Sequence, residues 1–209
     1  MAILDLIADE RRTTADLVDS LDEAQLRTRS LCSEWTVHDV GAHLLMPTDT
    51  PLRKLVVAMV TSAGNFDKVN LKMTAQTAKK PSKEVAAMLR ANAQHPFKPP
   101  GHTHTAPLTD LLIHGQDMRR PLGIRYRPDD EKLRIALDFL VSPTARRGFV
   151  DKRTLEGLRF EASDLDWSSG DGPTVRGPAT SLLMLMAARP AALDDVAGDG
   201  VATLRQRIT

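Results

Sequence analysis

Apolar residues recur at helical spacing over most of the chain and at strand spacing only towards its end. In residues 3–21, Leu4, Ile7, Ala8, Thr14, Leu17 and Leu21 fall among acids and arginines, predicting a surface helix with one buried stripe. Thr36-Val37-His38-Asp39 has the form of a capping box opening a second helix. That helix is expected to stop at about Met46, because Pro47 and Pro51 follow. A third helical pattern covers 52–63 and is broken by Gly64 and Asn65, after which a more polar helix runs to about Lys79. Pro81-Ser82 introduces a helix over 83–93, with Val85, Met88 and Leu89 on its apolar side. Pro96, Pro99 and Pro100 exclude regular structure from 95–104. Thr105-Ala106-Pro107 starts the next helix, since proline is tolerated in a first turn, and Pro121-Leu122-Gly123 ends it. Another helix spans 129–141 behind an acidic start suited to the positive end of the helix dipole.

Beyond Arg153 the texture changes. Residues 158–162 alternate like a strand, and Thr174-Val175-Arg176 reads as the returning strand of a hairpin around the glycine-rich stretch 166–173. Gly177-Pro178 precedes a helix over 179–188, and 193–209 forms a short closing element. The expected fold class is therefore mainly α: a helical body over 1–150, then a small α+β domain over 151–209, with no internal repeat.

Composition narrows the function more by exclusion. The 28 basic and 27 acidic side chains leave a net charge of +1, so neither nucleic acid nor a strongly acidic partner is indicated. A hydrophobic content of 42% suits a globular protein, while aromatics at 4% leave the core to Leu, Val, Ala and Met. The single cysteine, Cys32, rules out an intrachain disulfide and a cysteine metal cluster. The start of the chain lacks a basic segment followed by a long apolar one, and the longest nearly apolar run, 181–188, is too short to span a bilayer. These features predict a cytoplasmic protein with no membrane partner. Exposed helix faces would allow a homodimer.

The candidate chemistry lies in the helices. Asp110 and His114 stand at i and i+4, one turn apart on one helix face. With His43 they would supply the three ligands of an open, catalytic type of metal site. A metal so held would acidify a water or a thiol into a nucleophile. The same spacing also fits a solvated polar face. Asp110, His114 and Asp117 lie at or beyond the edge of the stripe made by Leu108, Leu111, Leu112 and Met118, and His43 lies at the margin of its own. His102 and His104 offer a weak metal pair in a loop that otherwise reads as a mobile surface segment or lid. Asp117, Arg119 and Arg120 suit either carboxylate recognition or structural ion pairs. Cys32 precedes a helix N-terminus, which lowers a thiol pKa, but without a committed histidine it reads as inert.

Three segments carry a resemblance. Residues 32–44, with Cys32, Trp35, His38 and His43, resemble the tryptophan-to-histidine segment of the mycothiol-dependent maleylpyruvate isomerase family, part of a larger DinB-like group of metal-binding helical bundles. Asp110-Leu111-Leu112-Ile113-His114-Gly115-Gln116-Asp117-Met118-Arg119-Arg120 resembles its second signature, and residues 165–178 resemble the small C-terminal domain often fused to it. The resemblance implies a DinB-like four-helix bundle holding a divalent metal, zinc, on His43, Asp110 and His114. The family's isomerase has glutamate at the acid position, so Asp110 is a departure by one methylene. It further implies a mycothiol-type thiol as cosubstrate, adding to a small electrophilic substrate in an isomerase or transferase reaction. Arg119, Arg120, Arg176 and Arg205 are the candidate clamps for a substrate carboxylate. A non-catalytic binding module on the same bundle and a metal-dependent hydrolase are the alternatives.

Overall fold

The computed structural model describes residues 1–32, 34–50, 53, 57, 60–61 and 65–209. Two compact units emerge, Met1–Phe97 with Asp117–Arg125, and Lys98–Gln116 with Tyr126–Thr209.

In the first unit the helices are α1 (Ile3–Ser20), α2 (Glu23–Arg27), α3 (Val37–Asp49), α4 (Phe66–Thr77) and α5 (Ser82–Ala91). The buried stripe of α1 is anchored by Leu6 and Ile7; Leu4, expected in it, is exposed. α1 packs on α3 and α5, and α3 packs on α4 and α5. The close approach of α1 to α3 depends on Gly41, where a Cβ would meet Val18 Cγ2 at 3.0 Å. Burial of Val18, Val40, Leu45, Val85 and Leu89 drives this packing, each side chain contributing about 1.5–3 kcal/mol. Buried Arg11 donates to the carbonyls of Asn92, Ala93 and His95 at 3.3, 2.9 and 2.7 Å, satisfying acceptors that the end of α5 leaves open. Desolvation pushes its pKa down to about 10, still far above neutrality, so it stays charged.

Local chemistry explains the boundaries. Thr36 and Asp39 form the expected reciprocal cap, with the Asp39 carboxylate accepting from Thr36 N at 2.8 Å and Thr36 Oγ1 from Asp39 N at 3.2 Å. Helix α2 was not expected; a second capping box, Asp22 with Gln25, starts it. The expectation that α3 stops at Met46 is corrected, since it continues through Pro47 to Asp49. A proline φ is helix-compatible, and so near the C-terminus Pro47 forfeits only the hydrogen bond to the His43 carbonyl one turn back. The helix expected over 52–63 lies largely outside the described residues.

Helix α6 (Thr105–Arg119) is followed by a 3-10 turn, Arg120–Leu122, and stops where expected, at Gly123, whose φ of 68° takes the left-handed conformation that ends helices. The rest of the second unit holds α7 (Asp130–Val141), α8 (Lys152–Leu155), β1 (Arg159–Ala162), β2 (Ser168–Ser169), β3 (Thr174–Gly177), α9 (Ala179–Met186), a 3-10 turn Pro190–Asp195 and α10 (Val201–Ile208). α9 is apolar nearly all round and is covered by α7, β1, β3 and the 3-10 turn. The fold is thus mainly α with a small sheet near the C-terminus.

The sheet corrects the expected hairpin. Its order is β2-β1-β3: β1 pairs antiparallel with β2, Phe160 opposite Ser169, and parallel with β3, Phe160 opposite Val175. The glycine-rich stretch is therefore the crossover from one edge to the other. Gly170 (φ 84°) and Gly172 (φ 122°) make it possible, since a Cβ at either would overlap a carbonyl oxygen of Leu158 or Gly157. His102, expected in a mobile loop, is buried against Phe139 and Phe149, with ring centroids 6.0 and 5.7 Å away. No described helix is long and apolar enough to cross a membrane.

Candidate functional site

The capping box sets where α3 begins and so where His43, two turns in, is presented. His43 is buried. Its Nδ1 lies 3.0 Å from Oδ1 of Asn70 on α4, and its ring lies against Trp35, centroids 4.8 Å apart and planes 31° from parallel. An apolar cluster of Met46, Val69 and Met73 joins α3 to α4 and fixes the residue beside Val69, which is Asn70. His38, in the capping turn, places Nε2 3.0 Å from the carbonyl of Ala78 and so ties α3 to the end of α4.

On α6 the i and i+4 spacing brings Asp110 Oδ1 to 3.5 Å from His114 Nε2, with His114 buried and Asp110 half-buried. Asp117, three residues on, is completely buried, and its Oδ2 accepts from the thiol of Cys32 at 3.1 Å.

Of the three residues expected as ligands, Asp110 and His114 meet on α6, and His43 is buried on α3. Two imidazoles and a carboxylate are a donor set suited to a divalent ion of the zinc type, with a coordination position left for a reactant. By their chemistry the residue types present fit the divalent ion that the family resemblance implies.

The arginines separate. Arg119 is buried at the end of α6 and Arg120 half-buried in the following turn. Arg176 Nε pairs with Glu161 at 3.1 Å, and Arg205, half-exposed on α10, stands 3.6 Å from Asp194. Sequence reasoning missed two pairings here. Nothing in a polar helix singled out Asn70, and Cys32 had no visible partner because Asp117 is 85 positions away.

The family described as "Mycothiol maleylpyruvate isomerase N-terminal domain" matches residues 7–119, more than half of the chain. No curated protein matches the sequence. Two solved structures are similar over 95% of this chain and 95% of their own. One is a histidine-to-alanine mutant of the mycothiol-dependent maleylpyruvate isomerase, at 16% identity and a TM-score of 0.52; the other is the mycothiol-dependent maleylpyruvate isomerase, at 15% and 0.48. At such identity the first likeness speaks to the fold alone.

Proposed function

The chain belongs to the family of the mycothiol maleylpyruvate isomerase N-terminal domain, and on that premise we propose that it is a metal- and thiol-dependent isomerase or transferase acting on a small electrophile. The observation that carries this reading is the approach of Asp110 Oδ1 to His114 Nε2, 3.5 Å apart on one face of α6, with the buried His43 as the third expected ligand. These three would hold a divalent ion, zinc by its fit to their chemistry. Such an ion supplies Lewis acidity that lowers the pKa of a thiol. A mycothiol-type cosubstrate supplies reversible addition to an electrophilic carbon, which ends in isomerisation if the sulfur is expelled and in a conjugate if it is retained.

The protein's own groups divide the remaining work. His43 and His114 donate as neutral imidazoles, while Asp110 brings one negative charge and, being shorter than glutamate, reaches less far from the α6 backbone. Arg119, Arg120 and Arg205 are the candidate clamps for a substrate carboxylate, through the paired N–H donors of a guanidinium. A cytoplasmic setting suits a reaction that needs a reduced thiol.

The test is turnover of maleylpyruvate by zinc-loaded protein with and without mycothiol, beside His114→Ala. Loss of turnover on omitting the thiol and in the variant is expected. Thiol-independent turnover would reassign the site to a hydrolase, and binding without turnover would reassign it to a binding module.

A further inference from the structure

We infer that Asn70 is a positioning residue for His43, holding its imidazole in the tautomer whose Nε2 carries the lone pair for the metal. The inference rests on the reading of His43 as a ligand. A neutral imidazole has one N–H, and the partner of each ring nitrogen decides where it sits. Asn70 Oδ1, an acceptor without a proton, lies 3.0 Å from Nδ1. Nδ1 must therefore donate, which leaves Nε2 as the nitrogen able to ligate. Trp35 adds a second constraint, its ring 4.8 Å from that of His43, so the imidazole plane is held as well as its edge.

Asn70 is itself held in place. It follows Val69, whose side chain closes with Met46 and Met73 into the buried cluster between α3 and α4. The choice of an amide also matters chemically. A carboxylate behind a ligating histidine raises the ligand's basicity and adds a negative charge, and an amide does the first weakly and the second not at all. With Asp110 as the one anionic ligand, the amide keeps a divalent centre at a net positive charge, favourable for binding and acidifying a thiol.

The experiment uses the full chain and the variants Asn70→Leu and Asn70→Asp. Leucine has about the same bulk and favours helix, so α4 is retained while the acceptor is lost; aspartate restores an acceptor. The first readout is the tautomer of His43 in metal-free protein, from 15N-histidine spectra under mildly alkaline conditions, assigned by comparison with His43→Ala. The second is zinc affinity against a chelating competitor.

Wild type and Asn70→Asp are expected to carry the proton on Nδ1, and Asn70→Leu to lose that preference and bind zinc roughly 10–100-fold more weakly. A wild type that binds zinc but carries its proton on Nε2, or an Asn70→Leu protein unchanged in both readouts, overturns this inference alone. A wild type that takes up no zinc overturns this inference and the metal reading together, whatever the tautomer.

Discussion

The Cys32 thiol donates to the Asp117 carboxylate at 3.1 Å, joining the stretch before α3 to the last turn of α6 across 85 positions of sequence. Asp117 is completely buried, so each donor it receives offsets the desolvation of its oxygens. Cys32→Ala is expected to lower the unfolding free energy by about 1–3 kcal/mol, the range for depriving a buried acceptor of a partner. Cys32→Ser, which keeps an O–H donor, should recover most of that loss. Urea unfolding of the three proteins checks it, and an alanine variant as stable as wild type would show that the thiol contributes no stability to the buried carboxylate.

Asp164 gives the fold a pH dependence of known sign. Burial alone would raise its pKa, but hydrogen bonds from Ala179 N at 2.7 Å and from Arg127 Nε at 2.9 Å outweigh this and hold the carboxyl below its ordinary value. A folded pKa depressed below the unfolded one contributes stability above the unfolded value, and that stability is lost as pH falls through the folded one. Asp164→Asn should therefore be the less stable protein at pH 7, by no more than about 1 kcal/mol for so exposed a pair. The two should begin to converge as pH falls below about 4, the ordinary aspartate value, and meet only once pH has passed below the depressed folded value. Thermal unfolding across that range is the check, and a gap that widens in acid would contradict the assignment.

Gly170 is where the crossover strand path is most exposed to challenge. A methyl group there would overlap the Leu158 carbonyl oxygen at a φ of +84°. Gly170→Ala should destabilise by at least about 1–3 kcal/mol, the cost of a strained left-handed residue, read as a drop in Tm. A simple hairpin turn at this position, without the crossing backbone beneath it, would tolerate the change far better.

Arg11 is a buried cation serving three carbonyl oxygens beyond α5. Arg11→Met preserves the apolar stem and removes all three donors, and should cost about 1.5–3 kcal/mol for the charged hydrogen bonds lost. Denaturant unfolding measures this, and a neutral substitution would mean that water replaces the guanidinium at no cost.

What the sequence made legible was local. The spacing of Asp110 and His114, the Thr36–Asp39 cap and the stop at Gly123 each depend on residues within one turn of one another, and each was readable in advance. The misreadings came where a distant partner decides. Pro47 looked like a terminator because its ring and missing N–H are local facts, whereas the position so near the helix end makes the loss small. The strand at 174–176 alternates equally well as a hairpin return or as a parallel neighbour, and only the backbone passing over Gly157 and Leu158 chooses between them. His102 looked like a loop histidine because Phe139 and Phe149, against which it is buried, lie far along the chain. Asn70 and Asp117 belong to the same class: their partners, His43 and Cys32, are set by packing rather than by period.

The central claim is that His43, Asp110 and His114 hold a divalent metal, and its most direct test is elemental mass spectrometry of the purified protein beside His43→Ala and His114→Ala. The account predicts close to one zinc per chain in the wild type and background levels in both variants, with their helical circular dichroism retained. Wild-type protein that stays metal-free after reconstitution with zinc, or variants that keep the metal, would contradict it.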